Sequence, residues 1–229
     1  ALFLVKIFII FHDCSHHSFL KSTRANSILG HICGILTFTS FHDWRHSHNI
    51  HHATVVNLDK FGIGDVWLMT AEEYKNSSKL KKLQYRLFRF PIILFLLLPI
   101  MLFLIKNRFP SSYSNRRDVI SIIFTNIVII GIIVLVIFTI GIEYYIMIQL
   151  PVIFIASIIG VWLFYIQHEF KDVKYFRQSE WNIYKASMKG TSFYKLPGIL
   201  RFFSGNIGYH HIHHLNVRIP NYYLPKCYN

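Results

Sequence analysis

The 229-residue sequence is poor in acid, with 11 Asp and Glu against 24 Lys and Arg and a formal net charge of +13 with histidine neutral. Charge of either sign is scarce, at 15 % of residues, while 53 % are apolar. That balance is far from the average soluble domain. A basic chain can serve nucleic acid, but here apolar runs separate the cations, which favours anionic lipid headgroups as partners and no nucleic acid. Cysteine is nearly absent. Cys14, Cys33 and Cys227 show no metal spacing, and an odd count excludes a closed disulfide framework. All three are expected as small buried apolar residues in a reducing compartment. No internal repeat and no low-complexity linker appears, so residues 1–229 read as a single domain. The chain opens at Ala1 inside an apolar run, without an initiator methionine, so a truncated N-terminal membrane segment is expected.

What is there is apolar and grouped. The runs are 1–11, 27–41, 91–105, 119–142 and 146–167. A helix needs about 20 apolar residues to cross a bilayer. Only 119–142 and 146–167 reach that length, and Glu143-Tyr144-Tyr145 between them allows only a tight helical hairpin, about 119–167. The shorter 27–41 and 91–105, the latter carrying Pro99, read as interfacial or partly inserted helices. Lys and Arg crowd the segments 71–118 and after 168, and none lies at the hairpin tip 143–145. The positive-inside rule then puts both basic segments in the cytoplasm. The fold class expected is all-α: a multi-pass helical membrane protein with a cytosolic cap.

The cap is rich in histidine. His12, His16 and His17 fall in "HDCSHHSF"; His42, His46, His48, His51 and His52 in "HDWRHSHNIHH"; His210, His211, His213 and His214 in "HHIHH". His168 stands alone in "FYIQHEF", and His31 is isolated. His12 and His16 are four apart and share a helix face; His48, His51 and His52 share one, as do His210, His213 and His214. Such faces are metal platforms, and ionisable residues at membrane depth are functional by default. His17, His46 and His211 break the period and point elsewhere, while His42 and His31 read as surface or satisfied groups. All the clusters must lie on one side of the membrane to meet. That parity closes only if 27–41 and 91–105 do not cross.

Nine candidate ligands exceed one ion's needs, since catalytic zinc takes three protein ligands. They suit two ions of four to five ligands each, and imidazole suits iron, copper, zinc or nickel. Haem would need one or two axial histidines within flanking helices. A neutral, imidazole-only shell favours a dinuclear iron site able to react with dioxygen. Asp13, Asp43 and Glu169 are candidates to orient ligand rings.

The residues resemble the membrane-bound fatty acid desaturases: "HDCSH" resembles the first histidine box of that family, "HNIHH" the second and "HHIHH" the third. The stretches "WRHSHNIHHATVVNLDKFGIGDVWLMTAEEY", "GVWLFYIQHEF" and "YKLPGILRFFSGNIGYHHIHHLNVRIPNYYL" are similar to bacterial acyl-lipid desaturases of the delta-12/omega-6 type. The resemblance implies a cytosol-facing di-iron centre on His12, His16, His48, His51, His52, His168, His210, His213 and His214, with His168 the extra ligand outside the boxes. It implies an enzyme, an acyl-lipid desaturase of a bacterial inner membrane. Two iron ions as cofactors, dioxygen as co-substrate and an acyl lipid in an apolar tunnel follow from it. No "HPGG" of a fused cytochrome b5 domain occurs, so a separate ferredoxin-like or cytochrome b5-like donor is implied. The alternative on the same platform is a di-iron membrane hydroxylase or ketolase acting on a lipid or alkane.

Overall fold

The chain is described by a computed structural model covering residues 1–228, and its regular structure is helical, with no strand among the described residues. Helices α1 (Leu2–Ser15), α2 (Thr23–Leu36) and α3 (Phe41–Thr54) build the first part of the core. Ser22 starts α2 by accepting a hydrogen bond from the Ala25 N–H at 3.3 Å. Buried Asn26 donates to the carbonyls of Leu20 and Ser22, which closes the α1–α2 turn. Glycine permits the close packing: a Cβ at Gly30 would fall 2.1 Å from the Phe41 ring. Phe11, Cys14, Cys33 and Phe41 fill this core. Cys227 is exposed, contrary to the expectation for all three cysteines, because it lies on a short terminal helix that buries only Leu224.

A loop then leads to α4 (Ala71–Asn76), begun by a reciprocal Thr70–Glu73 capping box, and to α5 (Lys79–Arg89). Residues 91–105 form a π-helical turn (Ile93–Leu97) continuing into α6 (Leu98–Leu104), then a 3₁₀ turn (Lys106–Arg108). α2 is too short to cross a bilayer, and so is α6; the segment Ile93–Arg108 reaches spanning length only if joined to α5 across a 61° bend.

Among the described residues two helices are long and apolar enough to cross: α7 (Arg116–Thr139) and α8 (Ile142–His168). Asn115 and Asp118 cap α7 reciprocally. The break between the two falls at Ile140–Gly141 rather than at Glu143-Tyr144-Tyr145. Gly141 turns the chain at φ +86°, which glycine adopts without a steric penalty, and Glu143 joins the first turn of α8, where the helix dipole favours an acid. Ile127, Leu135, Phe138 and Met147 face outward, as on lipid-facing helices. α7 lies against α2 and α3, and α8 against α1 and α6.

The remainder is α9 (Ile183–Gly190), α10 (Gly198–Phe203), α11 (His210–Leu215) and α12 (Leu224–Tyr228). Isolated bridges tie Asn57 to Phe176 and Phe193 to Tyr209.

Candidate metal centre

Four helix segments bring their histidines to one place. His12 lies in the last turn of α1, and His16 follows as its C-cap. α3 supplies His48, His51 and His52, α8 ends on His168, and α11 supplies His210, His213 and His214. All are buried except His16, which is half-buried.

The rings fall into two groups. In one, ring nitrogens of His12, His16, His48, His52 and His213 all lie within 4.8 Å of one another; in the other, so do those of His51, His168 and His214. His210 adjoins the second group, its Nε2 lying 2.9 Å from that of His168 and 3.0 Å from that of His214. Each "HxxHH" triplet is therefore divided. His48 and His52 serve one group and His51 the other; His213 serves the first, His210 and His214 the second. A triplet converging on a single ion is not what forms, because neighbours one residue apart diverge by about 100° around a helix.

Two carboxylates hold rings of this set. His12 Nδ1 lies 3.1 Å from Asp13 Oδ1, and His51 Nδ1 lies 2.6 Å from Asp65 Oδ1. A carboxylate there accepts a hydrogen bond from Nδ1–H, which leaves the Nε2 lone pair free. Both Nε2 atoms are buried and without a hydrogen-bond partner. Asp13 also accepts from the backbone and side chain of Asn221, fastening the C-terminal region to α1. Asp65 escaped the sequence reading. Its signal is the pair Gly62 and Gly64, both at positive φ, in "FGIGD"; a Cβ at Gly64 would fall 2.9 Å from His51 Cβ. Asp43 instead accepts from Ser114 at 2.5 Å, and Glu169 pairs with Arg89 at 3.1 Å.

The remaining histidines stand outside. His46 Nδ1 meets Asp118 at 2.6 Å, which pins α7 to α3. His31 donates to the Ser27 carbonyl at 2.7 Å. His42 meets His31 edge-on, ring centroids 5.1 Å apart, and His211 lies by Tyr228. His17 takes a left-handed φ of 55°.

Burial, reinforced by neighbouring imidazoles, holds His16, His48, His52, His210, His213 and His214 well below the ordinary histidine range. They are neutral and have lone pairs to give. Hydrogen bonding alone does not account for the packing. His52 Nε2 faces His48 Nε2 at 3.0 Å and His213 Nε2 at 3.1 Å, and one ring nitrogen carries one proton or one lone pair. Nitrogens about 2.1 Å from a shared ion and at right angles stand about 3.0 Å apart. The donor set thus fits metal ions. A narrow cavity of about 10 Å³ between Val55, Phe61, Phe164 and Tyr175 reaches His168. It holds at most a water, so it is a crevice and not the open tunnel expected for an acyl chain.

The sequence profile described as "Fatty acid desaturase" matches residues 1–229. A "Fatty acid desaturase" of Bacillus subtilis (strain 168) is 47 % identical over 98 % of the chain and 64 % of its own length. An "sn-1 oleoyl-lipid 12-desaturase" of Picosynechococcus is 28 % identical over 98 % of the chain and 65 % of its own length. An "sn-1 acyl-lipid omega-3 desaturase (ferredoxin)" of Nostoc is 27 % identical over 96 % and 62 %. The chain spans less than two thirds of each of these relatives.

Proposed function

Because the chain belongs to the fatty acid desaturase family, we propose that it is an oxidoreductase, one catalytic domain over residues 1–229, that introduces a cis double bond into an acyl chain of a membrane lipid. The metal ligands of this reading are His12, His16, His48, His51, His52, His168, His210, His213 and His214. The observation that carries it is the buried meeting of those nine imidazoles, in which single ring nitrogens face two others at once, His52 Nε2 meeting His48 and His213 and His210 Nε2 meeting His168 and His214. Two iron ions bound there would supply the dioxygen-dependent, two-electron oxidation that removes a hydrogen from each of two adjacent methylenes.

The chain's own residues do the rest. Asp13 and Asp65 fix the rings of His12 and His51 with Nε2 toward the centre. Trp44 stacks on His48, ring centroids 4.2 Å apart, and holds that ring against rotation. Burial keeps water from the centre, which protects an oxidising site from side reactions. Phe61, Phe164 and Val55 offer an apolar wall beside His168 for the reacting methylenes, provided the crevice opens. An acyl lipid as substrate and a ferredoxin-like donor are supported by the names of the cyanobacterial relatives. A multi-pass inner-membrane placement with the centre toward the cytoplasm is supported by the basic flanks. The start of α7 and the end of α8 also both lie beside α3, at Asp118 and His168.

Expression of the full-length protein in a lipid-producing host tests this. Acyl chains with one added double bond are expected, and none with His48→Ala. New hydroxyl or keto groups, or a zinc-filled protein that consumes no dioxygen, overturn it.

A further inference from the structure

A second cavity lies outside the nine-histidine cluster, next to His211, which borders its Phe193 and Tyr228. Its volume is about 280 Å³, and Tyr194, Lys195, Arg201, Gly208, Tyr209 and Tyr228 line it. Among the described residues no carboxylate lines it. The Lys195 ammonium and the Arg201 guanidinium form no ion pair among the described residues. Both cations border one concave surface, where an anion would meet two positive charges at once. The floor is backbone held close: Tyr194 N–H donates to the Gly208 carbonyl at 2.8 Å. A Cβ at Gly208 would fall 2.3 Å from the Tyr194 backbone carbonyl oxygen, so only glycine lets these two segments approach this closely.

Its surroundings name the kind of anion. Arg201 sits on α10, whose Ile199, Leu200 and Phe202 are exposed. α10 rests on α1, where Lys6 donates to the Phe202 carbonyl at 2.8 Å. The next residue of the cavity loop, Leu196, packs on Val5 of α1 and on Ala156 and Leu163 of α8. Cations and tyrosines next to exposed apolar side chains are the arrangement of a bilayer interface. We propose that this cavity holds the phosphate of a membrane phospholipid. Lys195 and Arg201 bind the phosphate oxygens, and the acyl chains lie along α10. The proposal rests on the reading above for its membrane setting and gives the lipid a headgroup site one residue from His210, since Tyr209 is its inner wall.

Binding to the purified full-length protein in detergent tests it without turnover. The probes are dihexanoyl phosphatidylglycerol, dihexanoylglycerol and inorganic phosphate. The phospholipid is expected to bind, and Lys195→Gln with Arg201→Gln to weaken it by roughly tenfold for each cation removed. Lys185→Gln with Lys189→Gln on α9 should leave it unchanged. The phosphate-free diacylglycerol should bind at least about tenfold more weakly than the phospholipid. Equal binding by the double variant, an equal loss in the α9 control, equal binding of dihexanoylglycerol, or inorganic phosphate binding as tightly as the phospholipid would each overturn the proposal. Cobalt(II) loading of the histidine cluster, read by its visible spectrum, checks folding. If the double variant loses that spectrum, the two single variants carry the same test. Because no turnover is read, an inactive enzyme that binds the phospholipid leaves this site standing, and an active one that does not bind it removes the site alone.

Discussion

His168 and His210 meet Nε2 to Nε2 at 2.9 Å, although 42 residues separate them in sequence. One ends a helix of membrane-spanning length and the other begins a helix of six residues. If both bind one ion, His168→Ala should lower bound iron from about two per chain toward one, since its loss leaves that group short of imidazoles. Elemental analysis of the purified protein checks this. His31→Ala, whose ring is spent on the Ser27 carbonyl, should leave the metal content unchanged.

Asp65 should matter through His51. Asp65→Asn keeps the shape and removes the negative charge that accepts the hydrogen bond from His51 Nδ1–H. Loss of such an outer partner weakens metal affinity by roughly 10–100-fold. Competition with a chelator measures it. Asp43→Asn, at a carboxylate turned to Ser114, should bind metal as the parent does.

Gly30→Ala should destabilise without touching the centre. The added methyl would lie 2.1 Å from the buried Phe41 ring. Overpacking of this kind costs about 1–3 kcal/mol, seen as a lower midpoint of thermal unfolding in detergent.

His42 gives a pH dependence of known sign. Burial first, then Arg117, His31 and Arg45, depress its pKa from 6.5 to about 4, against a weaker pull from Asp118. The unfolded chain therefore binds the proton more readily than the folded one. Stability from this group is full above about 6.5 and declines as pH falls toward 4. Partial exposure keeps the slope below one proton's worth, about 1.4 kcal/mol per pH unit. His42→Gln should flatten the acid limb of a stability–pH curve; an unchanged or steeper limb would count against this assignment.

The sequence alone determined the histidine sets, their sharing of helix faces, the helical class and the two long apolar spans. These are local properties: a helix period and a run length are written in consecutive residues. Tertiary structure decided how the nine rings divide. His51 parts from His48 and His52, and His213 from His214, because α3 and α11 each stand between two groups and turn adjacent residues to opposite sides. It decided that Asp65 serves His51 while Asp43 and Glu169 turn to Ser114 and Arg89, since a carboxylate's partner depends on which distant element arrives beside it. The hairpin turn moved to Gly141 for a local reason that hydropathy does not register, a positive φ within an apolar run. The cationic cavity on the C-terminal side was invisible in sequence, because Lys195 and Arg201 face one hollow only after Gly208 lets two backbone segments touch.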